Sequence, residues 1–304
     1  MRQSASGNTN TLFTGLLGHP VENSLLPDAM NALYRLYGLN YVYESFDVRK
    51  NEFPSLLDEL KAMGFCGFNV TAPGKAVAAY LCDKLNPTAR IVNYADAVLI
   101  KDGILTGYNT KGYAFRHAVE KTGTKIRNSR ITIFGCGETA LAICSKCALS
   151  GASAVFMIAE PSDPRITPAA KLSYKLAAKT NCRISIHDPA DIASVEFDLS
   201  CSNIVVNASY KGRYPDHNES VIRDPYLLRS DHTVADIVYY PLNTKLLREA
   251  SAFGCNIVTG IDILLYQAAA SLKIFTGLRA READLQSLLP SLYRRTLCIE
   301  ESQV

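Results

Sequence analysis

Apolar residues recur along this chain in two rhythms. Short β-rich runs, TLFTGLLG from Thr11, YVYESFDV from Tyr41 and GFCGFNV from Gly64, are separated by stretches around DAMNALYRLYG and FPSLLDELKAMG whose apolar residues return at helical spacing. That βαβ rhythm predicts a first α/β lobe. A second series opens with RITIFG, passes through a helical pattern over ALAICSKCALSG, and continues with SAVFMIA, CRISIH, NIVVNAS and TVADIVY. It predicts an open, mostly parallel, doubly wound sheet. GIDILLYQAAASLKIFTG is an apolar helix that fits neither series of strands. The simplest architecture is therefore two α/β lobes, the first completed by helices from the C-terminal part of the chain.

Composition narrows the function class. The 304 residues are 48% hydrophobic, enough for one large or two medium domains with a substantial core. The 32 basic and 29 acidic side chains are spread along the chain and leave a net charge of only +3, so no basic stripe points to nucleic acid. A small-molecule partner is the expectation. No apolar run reaches the roughly 18 residues that cross a bilayer, and MRQSASGNTN lacks the apolar centre of a signal peptide, so the expected setting is cytoplasmic, away from a membrane. Nine scattered cysteines fit reduced thiols better than a disulfide framework. Cys144 and Cys147 form a lone C-x-x-C inside a helical pattern, and His19, His117, His187, His217 and His232 show no ligand spacing. No metal site is expected.

The clearest cofactor signal is Gly135-Cys-Gly137-Glu138-Thr139-Ala140, a G-x-G-x-x-A that follows the strand RITIF and opens a helix. The first glycine permits a tight turn, the second lets backbone approach a pyrophosphate, and Ala140 allows the helix to pack closely on the strand. This strand, turn and helix predict a Rossmann-type dinucleotide-binding domain. The next strand, SAVFMIA, leads to Glu160, at the distance where an acid can accept hydrogen bonds from a ribose 2′-hydroxyl and would repel a 2′-phosphate.

Two lysines are candidates for chemistry. GFNVTAPGK ends a strand in polar groups and sets Lys75 just past Pro73, which resists continuing the strand. A lysine at the mouth of a nucleotide cleft acts as general acid or base when its pKa is lowered. GYNTKG places Lys111 between glycines at the start of a helical pattern, where a solvated turn residue is the plainer reading.

Together these segments resemble the shikimate dehydrogenase family. GLLGHPVENSLLPDAMN looks like its substrate-binding entry, GFNVTAPGK its catalytic-lysine motif and DGILTGYNTKG its interdomain segment, and IVVNAS, VADIVYYPLNTKLLREASAFG and GIDILLYQAAASLKIFTG follow in order. The resemblance implies a two-domain α/β enzyme. An N-terminal substrate-binding domain, residues 1–112 with 263–304, would accompany a Rossmann-type doubly wound domain at 113–262. The implied activity is hydride exchange between NAD or NADP and a ring carbon bearing a hydroxyl or keto group, on a cyclic carboxylate. Position by position, the catalytic lysine falls on Lys75, and substrate contacts on Ser24, Thr71, Thr110, Tyr239 and Gln267. Cofactor contacts fall on Gly135, Gly137, Glu138, Thr139, Ala140, Glu160, Asn207 and Ala208.

Three positions depart from the pattern. Leu26 stands where the family has a second serine in its entry motif, Asp96 where it has an asparagine, and Lys111 where it has the aspartate partner of its lysine. The family's lysine, aspartate and asparagine sum to zero charge, whereas Lys75, Lys111 and Asp96 sum to +1, which predicts a more anionic or differently substituted ligand than shikimate. Two mechanisms are open. The preferred one has Asp96 hold Lys75 from the other side of the pocket while Lys111 grips a substrate carboxylate or hydroxyl. In the other, the two ammonium groups lower each other's pKa and leave one neutral amine.

The expected function is therefore a dehydrogenase or reductase of this family, active on a hydroxy or keto cyclic carboxylate other than shikimate. The alternative is a catalytically inactive homologue that binds nucleotide or metabolite as a sensor or scaffold. NAD is the expected cofactor and NADP the alternative, because Ala159-Glu160-Pro161 replaces the family's arginine-bearing stretch, although Arg165 lies five residues beyond Glu160. The resemblance implies a monomer or homodimer and a small acidic metabolite as ligand.

Overall fold

A computed structural model describes residues 11–301. The first lobe begins with strand β1 (Leu12–Gly18), helix α1 (Leu26–Leu36), β2 (Tyr41–Asp47), α2 (Phe53–Ala62), β3 (Phe65–Val70) and α3 (Lys75–Leu81). It continues with β4 (Lys84–Leu85), α4 (Pro87–Val92), β5 (Ala97–Lys101) and β6 (Ile104–Tyr108). These strands form one sheet in the order β2-β1-β3-β5-β6-β4.

The sheet is mixed, and here the structure adds to the pattern read from the sequence. β5 runs antiparallel to β3 and β6, making a hairpin whose two-residue turn is Asp102 (φ +52°) and Gly103 (φ +75°). Both residues sit in the left-handed region that a type I′ hairpin turn requires, and Asp-Gly is a preferred pair for it. The hairpin carries Asp96 just before β5 and delivers the chain to Lys111.

Helix α5 (Lys111–Lys121) leads into the second sheet, built from β7 (Arg130–Phe134), β8 (Ala154–Ile158), β9 (Arg183–His187), β10 (Ile204–Asn207), β11 (Thr233–Asp236) and β12 (Asn256–Val258). Every pairing in it is parallel, in the order β12-β11-β10-β7-β8-β9, with α6 (Glu138–Leu149), α7 (Ile166–Ala177), α8 (Ile192–Cys201) and α9 (Lys245–Ala252) between strands. The order reverses between β7 and β10, and ligands of such sheets bind at the carboxyl ends of the strands at that switch. Asn207 ends β10 there, and its Nδ2 donates to Asp236 Oδ1 at the end of β11 across 2.9 Å.

The chain then returns through α10 (Gly260–Thr276), which starts on a capping box between Thr259 and Asp262 and stops at Gly277 in the left-handed region. Its apolar side chains Ile261, Leu264, Leu265, Ala268, Leu272 and Phe275 are buried in the core that also takes Leu26, Met30 and Leu33 of α1. The last helix, α11 (Glu282–Glu301), adds Leu285, Leu288 and Leu292 to the same core. This is why the apolar run belongs to neither strand series: it roofs the first sheet after the second is complete.

Gly112 lets α5 lie against α6. A Cβ at this position would sit 2.4 Å from the Ala142 carbonyl oxygen and 2.7 Å from Lys146 Cβ.

Candidate active-site cleft

A cleft of about 570 Å³ lies between the two sheets at the carboxyl ends of β3 and β7. The first lobe contributes Ser24 and Leu26 at the head of α1, Thr71 after β3, Lys75 as the first residue of α3, Lys111 as the first residue of α5, and Gln267 from α10. The second contributes Gly135, Gly137, Glu138 and Thr139 around the start of α6, Ala208 after β10, and Tyr239. Gly135 makes the turn with φ +113°, its α-carbon pressed toward the Ala208 carbonyl, where an added Cβ would lie 3.0 Å from the oxygen. Ala140 is fully buried and does not reach the cleft, as close packing of α6 on the sheet requires.

Lys111 occupies the cleft. Its ammonium donates to Gln267 Oε1 at 2.5 Å. Burial, and secondly the charge of Lys75, pull its pKa down to about 8 against a smaller opposing pull from Asp96. Largely shielded from solvent and facing a like charge, the ammonium form is destabilised relative to that of a free lysine. Lys75 finds its carboxylate elsewhere, in Glu138 Oε2 at 3.7 Å across the cleft.

The placement of Asp96 corrects the preferred reading of the sequence. Its side chain is 1% exposed and does not line the cleft. Oδ1 accepts hydrogen bonds from the Thr110 amide (2.6 Å) and the Thr110 hydroxyl (2.8 Å), and Oδ2 accepts one from the Lys111 amide (3.0 Å). Among the described residues it makes no ion pair with either lysine, so it does not hold Lys75 from behind. The physical reason is local: the first amides of α5 have no intrahelical acceptor, and a carboxylate arriving from the turn before β5 satisfies two of them. Thr110 shares this fate. It is 3% exposed with its hydroxyl committed to Asp96, and is not among the cleft-lining residues, so the hydroxyl expected to meet substrate is turned to the helix start instead.

On the nucleotide side, Asn207 and Glu160 also fall outside the cleft lining. Asn207 is 1% exposed, with Nδ2 given to Lys211 O and Asp236 and Oδ1 accepting from both the Ser209 amide and hydroxyl; it shapes the loop after β10. Glu160 is exposed beyond the end of β8, and its carbonyl closes a turn with Asp163. Arg165 reaches further in and lines the cleft, one guanidinium nitrogen lying where a Cβ on Gly137 would be 3.3 Å away. It donates to Asp163 through Nε (2.8 Å) and Nη2 (2.6 Å), which holds the Asp163 carboxyl down at about 2.

Tyr239 is half-buried, and burial raises its phenol, countered by the charge of Arg213 and a hydrogen bond with Ser24. Arg213, Glu138 as the partner of Lys75, and the packing of Tyr94 and Tyr210 around the cleft were not legible as site features. They come from loops and helix starts with no distinguishing linear pattern. Cys144 and Cys147 are buried on α6, where burial pushes both thiols up, and among the described residues no group of three or more His, Cys, Asp or Glu side chains could hold a metal. No helix among them is long and apolar enough to cross a membrane.

This cleft can be compared with known proteins. A family model for the shikimate dehydrogenase substrate binding domain matches residues 16–98. The shikimate dehydrogenase (NADP(+)) of Methanocaldococcus jannaschii is 33% identical over 270 residues, covering 89% of this chain and 93% of that protein. The chain belongs to the shikimate dehydrogenase family. Among solved structures of this family, Listeria monocytogenes shikimate 5-dehydrogenase in complex with shikimate and NAD is 30% identical. It superimposes with a TM-score of 0.87 over 95% of this chain and 99% of that one. Quinate dehydrogenase from Corynebacterium glutamicum in complex with NAD is 25% identical, with a TM-score of 0.82 over 92% and 99%. The family is one of two-domain α/β oxidoreductases whose relatives bind NAD or NADP.

Proposed function

We propose that this chain is an NAD(P)-dependent dehydrogenase of a hydroxy or keto cyclic carboxylate other than shikimate, with NAD preferred over NADP. The single observation that carries the reading is Lys111: a lysine whose pKa is pulled down to about 8 in the cleft beside Lys75 and the dinucleotide turn. The substrate domain is taken as residues 1–112 with 263–304 and the dinucleotide domain as 113–262, the crossings falling at the head of α5 and the first turn of α10.

The glycine turn fits a dinucleotide. Gly135 and Gly137 leave room for backbone approach, and the free amides at the start of α6 face the cleft with Thr139. When bound, a nicotinamide supplies the two-electron hydride acceptor or donor. The remaining steps belong to the protein. Lys111, as the neutral amine, takes the proton of the substrate hydroxyl at Nζ while its hydrogen bond to Gln267 fixes where that nitrogen points. Lys75, paired with Glu138, sets a positive charge beside the developing carbonyl oxygen. Ser24, Thr71 and Tyr239 offer hydroxyls to the rest of the ligand. In the reverse direction Lys111 returns the proton.

Leu26 offers no donor to the substrate carboxylate where the family has a serine, so shikimate turnover should be weak. The ligand is read as a small acidic metabolite, the assembly as a monomer or homodimer, and the compartment as the cytoplasm. The test is nicotinamide absorbance across a panel of cyclic hydroxy and keto acids with NAD and NADP. Turnover of a member other than shikimate supports the reading. Nucleotide binding without absorbance change on any of them would mark a non-catalytic binding homologue instead.

A further inference from the structure

Arg213 is an unspent cation on the wall of the cleft. The cleft is lined by Lys75, Lys111, Arg165 and Arg213, with Glu138 as its lining carboxylate. Glu138 faces Lys75, and Arg165 is forked onto Asp163. Lys111 sheds its charge near pH 8. Among the described residues, the Arg213 guanidinium has neither an ion-pair partner nor a hydrogen-bond acceptor, only the face of Tyr240, whose ring centroid lies 4.5 Å from Cζ.

The residue is held on a built surface. Asn207 ties the loop through Lys211 O and Ser209, Gly212 turns it at φ +88°, and the Arg213 amide closes on Tyr210 O at 3.2 Å. Tyr240 is 6% exposed and packs in the core with Val21, Leu25 and Leu26, so the platform under the guanidinium is rigid. A ring face holds a guanidinium in place while leaving its N–H edge free. Five donors in a planar fork match the two oxygens of a carboxylate.

Its neighbours are substrate-side groups. The charge of Arg213 acts on Tyr239, and Tyr239 meets Ser24. Leu26, two residues beyond Ser24, lines the same cleft and brings a methyl-capped side chain where a second hydroxyl would have served.

We propose that Arg213 is the receptor for the substrate carboxylate in this cleft, taking over with Ser24 and Tyr239 the hydrogen bonding that Leu26 does not supply. The assignment rests on the dehydrogenase reading above and sharpens it: the substrate must carry a carboxylate that reaches Tyr239 while its reacting carbon faces Lys111. An ester or amide of the same acid loses the charge that a guanidinium selects.

The experiment measures binding to the NADH-loaded full-length protein, followed by the directly excited fluorescence of the bound nicotinamide. The probes are shikimate and quinate, each against its methyl ester. In the unsubstituted protein the acids should bind more tightly than the esters. Arg213→Met should weaken the acids about tenfold to a hundredfold and leave the esters within about twofold. Arg213→Lys should fall between, keeping charge without the fork. Leu26→Ser added to Arg213→Met should recover part of the loss. Equal weakening of acid and ester, or no preference for the acids in the unsubstituted protein, overturns the assignment. Retained NADH binding certifies the fold of each variant, and Arg213→Gln replaces Arg213→Met should that variant lose it. Failure of the unsubstituted protein to bind NADH or NADPH at all would instead sink the dehydrogenase reading.

Discussion

Lys111 Nζ donates to Gln267 Oε1 across 2.5 Å, joining the first residue of the helix that leaves the first sheet to the helix that returns to it. The amine that exchanges the proton in the proposed reaction is thus aimed by an amide on the opposite crossing of the chain.

The first prediction follows from the acidity of that amine. Burial and Lys75 lower it to about 8, so activity in the oxidising direction should rise through a limb near pH 8. Lys111→Met should abolish the limb with most of the turnover. Lys75→Met removes a like charge and should move the limb to higher pH, whatever else it costs. A limb that stays in place in Lys75→Met would contradict the coupling of the two lysines.

The same residue should limit stability. A lysine whose pKa is about 8 in the fold and about 10.5 in the unfolded chain binds fewer protons when folded, so its contribution is present above about pH 10.5 and lost as pH falls through about 8. Lys111→Met should therefore raise the unfolding free energy relative to the unsubstituted protein at pH 7, and the gap should close toward pH 10. Urea unfolding at the two pH values reads it directly.

Asp96→Asn separates a helix cap from a catalytic carboxylate. An amide oxygen cannot replace two carboxylate oxygens accepting from Thr110 and Lys111, and the loss should cost about 1–3 kcal/mol of stability. Because the Asp96 charge opposes the lowering of Lys111, the pH limb should also move down. A variant of unaltered stability, measured by urea unfolding, would contradict the capping role.

Gly112→Ala should destabilise by about 1–3 kcal/mol or more, since its Cβ would meet the Ala142 carbonyl, a backbone atom that cannot turn aside. Thermal unfolding with and without NAD checks it.

Cofactor choice can be titrated. Calorimetry should give tighter binding of NAD than of NADP, and tighter NADP would refute the preference. Arg165→Ala then tells what the arginine beside Gly137 reads: a loss confined to NADP means a 2′-phosphate, and a shared loss means the pyrophosphate common to both.

Much of this was legible in the sequence where local chemistry and long-range placement agree. Gly135, Gly137 and Ala140 need a turn, an approach and a close packing that only their small side chains allow, and the strand before them fixes where that turn sits. The β5–β6 hairpin was legible in principle from Asp102-Gly103, but its strands are short and its flanks carry Lys101 and Lys111, which blurs the alternation. Asp96 could not be read. Whether a carboxylate meets an ammonium or a helix end depends on which backbone amides a turn brings within 3 Å, and that is set by pairing of β5 with β6. Arg213 was invisible for the same reason, its meaning arising only where a loop after β10 lays it on a ring twenty-seven residues further on.

The pair of Lys75 and Glu138 has a consequence for how the empty molecule behaves. Each stands at the first residue of a helix, one from either side of the cleft, with nothing but charge drawing them across 3.7 Å. Exposed contacts of that kind weaken as counterions crowd in. Here the two side chains are only 12% and 24% exposed, so added salt should loosen the pair little, whereas Glu138→Gln should widen the ligand-free cleft, a difference that small-angle scattering can register.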